Sequence, residues 1–184
     1  IQSITPELFG DGAYDVFKTI DRVLILACGT SYYAGMTARY WIESVAKIPV
    51  NVEIASEYRY RDSVPDPRTL VVTISQSGET ADTLAALRYA SKNGYLSTVT
   101  ICNVPDSSLA RESDICLQTR AGTEAGVAST KAFTTQLAQL MVLGVAIARC
   151  RDLSEERELN LLRTLSGVSD QIKQIWRLQP ELQS

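Results

Sequence analysis

Residues 75–80 read Ser-Gln-Ser-Gly-Glu-Thr and follow directly on the apolar run 69–74. Three hydroxyls, an amide and a glycine in six positions exceed what a helix start needs, because one Ser or Thr suffices as an N-cap. The composition suits an anion. A helix N-terminus offers unpaired N–H groups and a partial positive charge. Glycine lets the backbone come close, and hydroxyls add donors. Together they hold a phosphate dianion with few Lys or Arg. Gln76 contributes a further amide donor of suitable length. Two other stretches share this character: Cys28-Gly29-Thr30-Ser31 after the run 22–27, and Glu124-Ala125-Gly126-Val127-Ala128-Ser129-Thr130 ahead of a long helical pattern. A single hydroxyl before a helix says little, and Ser77 fits equally as a cap and as a ligand.

Other residue types narrow the chemistry. The chain has no histidine, so a step needing imidazole must draw it from elsewhere. Cys28 reads as a nucleophile without a histidine partner or as a small residue that lets its turn close. Lys131 reads as a Schiff-base or phosphate lysine or as a helix-surface cation. Glu124 reads as a base or as a cap. Glu79 is explained by the dipole of the helix that follows it. The aspartates show no metal-ligand spacing, and neither a metal nor a cofactor is expected. No G-x-x-x-x-G-K-[ST] and no G-x-G-x-x-G after a strand occurs, which favours a small phosphorylated ligand over a nucleotide.

The elements that must carry these turns alternate. Short apolar runs predict strands at 22–27 and 69–74, and further strands are expected at 50–54 and 97–102, with a fifth, edge strand at 115–119. Helical patterns predict helices at 33–46, 78–91, 129–149 and about 154–178, with shorter helical turns at 56–60 and after Pro105. Asn93-Gly94 marks a helix stop, and Pro65 and Pro67 mark a loop. This alternation predicts an α/β fold, a five-stranded parallel sheet flanked by helices in a Rossmann-like αβα sandwich, with its ligand at the carboxyl ends of the strands near a switch in strand order. The organisation expected is a lead-in at 1–20, one domain at 21–150 and a C-terminal helix at 151–184.

Bulk properties agree. A chain of 184 residues with 45% apolar and 21% charged residues is ordinary for one globular domain. A net charge of −3 gives no basic surplus for a nucleic-acid partner. The four cysteines form no C-x-x-C pair and sit mostly in apolar runs, pointing to a reducing compartment, the cytoplasm. The apolar run 140–148 is too short to span a bilayer and reads as a buried helix, so no membrane partner is expected.

The stretch ISQSGETADTL resembles the phosphate-binding signature of the sugar isomerase (SIS) family, and LACGTSYYAG resembles its first loop. Taken with VEIASEYRYR, ICNVPDSSLARESD and AGTEAGVASTKAFTTQL, the resemblance narrows to the glutamine–fructose-6-phosphate aminotransferases and runs from about 23 to 140. It implies that Ser31, Ser75, Gln76, Ser77 and Thr80 hold the phosphate of fructose 6-phosphate or glucosamine 6-phosphate. It implies that Thr30, Val127 and Ser129 line the sugar, with Cys28 and Gly29 in the adjoining turn. The parent enzymes free ammonia from glutamine in a glutaminase domain and use it on fructose 6-phosphate. Their ring-opening histidine, proton-transferring glutamate and Schiff-base lysine belong to segments with no match here. The resemblance therefore implies a first isomerase domain without a catalytic residue of its own, leading toward a second one, and a homodimer. A stand-alone sugar-phosphate isomerase and a non-catalytic sugar-phosphate sensor remain open alternatives.

Overall fold

The computed structural model describes residues 3–126 and 128–177. Five strands form one parallel sheet: β1 (Arg22–Ala27), β2 (Val50–Ile54), β3 (Thr69–Ser75), β4 (Ser97–Cys102) and β5 (Ile115–Gln118), in the order β2-β1-β3-β4-β5. The chain runs outward from β1 first to one edge and then to the other, so the order reverses between β1 and β3. That is where an open parallel sheet leaves a crevice.

Strand side chains divide by parity. Val23, Ile25 and Ala27 of β1 and Leu70, Val72 and Ile74 of β3 face one helical layer, and Leu24, Leu26 and Val71 face the other. The first layer holds α1 (Ala13–Thr19), α2 (Gly29–Ala46) and α6 (Lys131–Arg149). The second holds α3 (Ala55–Tyr58) and α4 (Ala81–Lys92), with Tyr58 fully buried and its hydroxyl 3.0 Å from that of Tyr95. Both faces are covered, which is why β1 and β3 are mostly apolar along their length and why β4 is buried throughout, its threonines included. The edge strands β2 and β5 are only partly buried.

Helix α6 has the length and composition of a membrane span, with a mean hydropathy of 1.3, but half of that stretch is buried inside the protein. Its Leu140, Leu143 and Val145–Ala148 join the core. The four cysteines are free.

The lead-in segment is packed. Ile4, Phe9, Ala13, Phe17 and Ile20 belong to the main core. The segment is tied to α7 (Glu155–Arg177) by Glu158, which is 4% exposed. Its carboxylate accepts the Ile4 N–H at 2.8 Å and two bonds from the Arg149 guanidinium at 2.9 Å. Glu158→Ala strands that buried N–H and one end of the ion pair, although Arg149 retains some access to water. We expect a loss of about 2 kcal/mol, measured by urea unfolding. A change under about 0.5 kcal/mol would mean that the tie contributes no more than an ordinary surface position.

Candidate functional site

The turns after β1 and β3 face each other across the strand-order reversal. Cys28, Gly29, Thr30 and Ser31 from the first, and Gln76, Ser77 and Thr80 from the second, line one cavity with Gly126 and Ser129. Its volume is about 270 Å³, near the lower end for small-molecule sites. No lysine, arginine or carboxylate is among these lining residues.

The first turn is helical. Cys28 is the extended N-cap, and α2 begins at Gly29, four residues earlier than the pattern of its apolar face predicts. Gly29 has φ +56°, a left-handed conformation that admits glycine most readily. The hydroxyl-rich stretch that reads as a loop is therefore the opening turn of the helix, and Ser31 sits within it.

The second turn remains a loop for longer than expected. Helix α4 starts at Ala81 rather than at 78, because Gly78 adopts φ +67°. Ser75 lies at the end of β3, is 2% exposed and is not among the residues lining the cavity. Its Oγ accepts the Gly78 N–H at 3.0 Å and lies 2.9 Å from the Thr80 hydroxyl, bracing the loop from beneath. Ser77 Oγ accepts the Glu79 N–H at 3.1 Å. The loop is also latched to the segment beyond β4. Asn103 N–H donates to the Gln76 carbonyl, and Leu109 N–H donates to the Gly78 carbonyl.

The choice between capping and ligand binding turns on the helix ends. Neither α2 nor α4 has a side-chain cap, although Thr80 occupies the N-cap position of α4. Their first N–H groups thus lack the usual side-chain acceptors. Two uncapped helix starts converge on a cavity of hydroxyls and amides, so the potential there is positive without any formal charge.

The other candidates are accounted for structurally. Glu124 accepts N–H groups of Thr130 (3.3 Å) and Ala132 (2.9 Å), capping α6. Glu79 does not serve the helix it precedes. Its carboxylate accepts the Ser108 N–H at 2.6 Å, at the start of α5 (Ser108–Glu112). That backbone bond holds Glu79 below its ordinary carboxylate range. Lys131 is exposed on the first turn of α6. Val127 lies outside the described residues. No group of three or more metal-ligating side chains occurs among the described residues.

Two residues of the site escape the sequence reading. Gly126 lines the cavity, and its only signal is a glycine in the third hydroxyl-rich stretch. Gln136 lies beneath Ser31, donating from Nε2 to its Oγ at 3.1 Å. Nothing local to Gln136 marks it, since its partner is 105 positions away.

Comparison with known families matches a SIS domain to residues 17–146. The chain belongs to the SIS domain family. The chain is 63% identical, over 99% of its length, to glutamine–fructose-6-phosphate aminotransferase (isomerizing) of Bordetella parapertussis, and 52% identical over 98% to that of Idiomarina loihiensis. It spans 30% of the length of each. Among solved structures it superposes with a TM-score of 0.94 on the C-terminal domain of glucosamine-fructose-6-phosphate aminotransferase from Francisella tularensis. That match has 48% identity and covers 98% of this chain and 51% of that chain. Glucosamine-6-phosphate deaminase from Thermotoga maritima follows the same fold with a TM-score of 0.68 and 29% identity, covering 88% of this chain and 49% of that chain.

Proposed function

We propose that the cavity between the 28–31 and 75–80 turns binds the phosphate of a hexose 6-phosphate, fructose 6-phosphate or glucosamine 6-phosphate. In this reading the SIS domain is the first isomerase unit of an aminotransferase that makes glucosamine 6-phosphate from fructose 6-phosphate and glutamine. The observation that carries it is the convergence of two uncapped helix N-termini on one uncharged, donor-rich cavity. The names of its relatives support the choice of sugar.

Ser31, Gln76, Ser77 and Thr80 donate to the phosphoryl oxygens, and Ser75 holds the loop that presents them. Thr30, Val127 and Ser129 meet the sugar, beside Cys28 and Gly29. The domain binds and orients, and proton transfer is left to other parts of the parent enzyme. A stand-alone isomerase would need a base, and the two carboxylates in these stretches are engaged, Glu79 with the Ser108 N–H and Glu124 at the start of α6. The sensor alternative draws no support from the net charge of −3. The exposed apolar residues Ile172, Ile175 and Trp176 on α7 support association as a homodimer. Free thiols support a cytoplasmic setting.

The 184-residue chain is expected to bind fructose 6-phosphate weakly and to form no glucosamine 6-phosphate when supplied with ammonia. Affinity should rise as pH passes through about 6, where the phosphate takes its second charge, because no carboxylate is among the described residues that line the cavity. Calorimetric titration and a product assay check both points. Product formation would assign catalysis to this chain, and equal binding of unphosphorylated fructose would remove the phosphate from the account.

A further inference from the structure

The cavity has a second layer. Ser31 is 7% exposed, and the only side chain bonded to it among the described residues is Gln136 of α6. Gln136 is fully buried, and its Oε1 has no hydrogen-bond partner. A buried amide with an unpaired oxygen carries a desolvation cost that Leu or Met would avoid. Packing alone therefore does not explain a glutamine at this position, whereas the bond to Ser31 does.

A hydroxyl has one proton and two acceptor pairs. Nε2–H of Gln136 occupies an acceptor side of Ser31 Oγ. No described residue accepts the Ser31 proton, which is left to point into the cavity. With the bond reversed, Ser31 would donate to the glutamine and turn lone pairs toward an incoming anion. We propose that Gln136 is a positioning residue that acts through Ser31, fixing that hydroxyl as a donor to a phosphoryl oxygen. The relay N–H···O–H···O–P polarises both bonds in the same sense. This inference rests on the phosphate reading of the cavity and adds to it a residue from the buried face of α6.

The test is a double-mutant cycle on the 184-residue chain, titrated with fructose 6-phosphate and, in a separate arm, inorganic phosphate. Gln136→Met keeps volume and apolar packing but removes the donor. It should weaken binding about five- to tenfold in the otherwise unchanged chain. In a Ser31→Ala chain the same change should alter binding by less than about twofold, because the group it acts through is gone. A purely structural glutamine would affect both backgrounds alike, so equal losses, or no loss in either, overturn the inference. Circular dichroism verifies folding, and if the Met variant does not fold, Gln136→Leu completes the cycle. If Ser31→Ala and Ser77→Ala both bind as the unchanged chain does, the phosphate reading itself fails and takes this inference with it. Weakening by Ser31→Ala without weakening by Gln136→Met leaves the phosphate reading intact and removes only Gln136.

Discussion

The Gly78→Ala chain is expected to be about 3 kcal/mol less stable than its parent and to bind sugar phosphate poorly. Two effects combine. Gly78 sits at φ +67°, where an L side chain costs roughly 1–2 kcal/mol. A Cβ there would also run into the Oγ and Cβ of Ser107. Ser107 has little room to retreat, since it is 2% exposed and its hydroxyl donates to the Val104 carbonyl at 2.8 Å. Relief must come from moving the 75–80 loop, and that loop lines the cavity. Urea unfolding measures the loss. Adding Ser107→Gly should return the steric share and leave the backbone share. A Gly78→Ala chain within about 0.5 kcal/mol of the parent would show that the loop is free to deform and that its geometry is not fixed by this contact.

The second large effect concerns charge. Ser77→Asp should leave stability within about 0.5 kcal/mol, because aspartate can accept the Glu79 N–H as the serine does at 3.1 Å. Binding of fructose 6-phosphate should nevertheless fall more than a hundredfold, about 3 kcal/mol, because a carboxylate then faces a dianion in a partly desolvated cavity. Ser77→Asn, neutral and of similar shape, should keep most of the affinity. Paired titrations and melting curves separate the two roles of Ser77. If no anion entered this cavity, Asp would be tolerated in both measurements.

The parallel sheet was legible chiefly in β1 and β3, which are buried on both faces and so are dominated by apolar residues, whereas β4 mixes buried threonines with Val99 and Ile101. A switch in strand order was expected from the alternation of strands and helices, but its place between β1 and β3 comes from the sheet order; the turns beside it carried their composition openly. Helix starts were less legible. Glycine and hydroxyls before Tyr32 read as a loop, yet Gly29, Thr30 and Ser31 are helical. Gly78 reads as the start of α4, yet its positive φ keeps the chain out of the helix until Ala81. Long-range partners were not legible at all. Glu79 looks like a dipole residue until Ser108 is seen 29 positions away, and Gln136 looks like one more residue of an apolar helix until Ser31 is seen above it. Such pairs are fixed by tertiary packing, which leaves no local pattern. The hydroxyl of Ser75, indistinguishable in sequence from that of Ser77, is turned under the loop because the last residue of a strand must alternate to one side or the other.

The claim that two turns form one phosphate site is tested most directly by recording amide resonances of the labelled chain during titration with fructose 6-phosphate. The account predicts that the amides of Gly29, Thr30 and Ser31 and those of Gln76 to Ala81 shift together and saturate with a single dissociation constant, while unphosphorylated fructose leaves them in place. Shifts confined to one turn, different constants for the two, or movement only elsewhere on the molecule would contradict it.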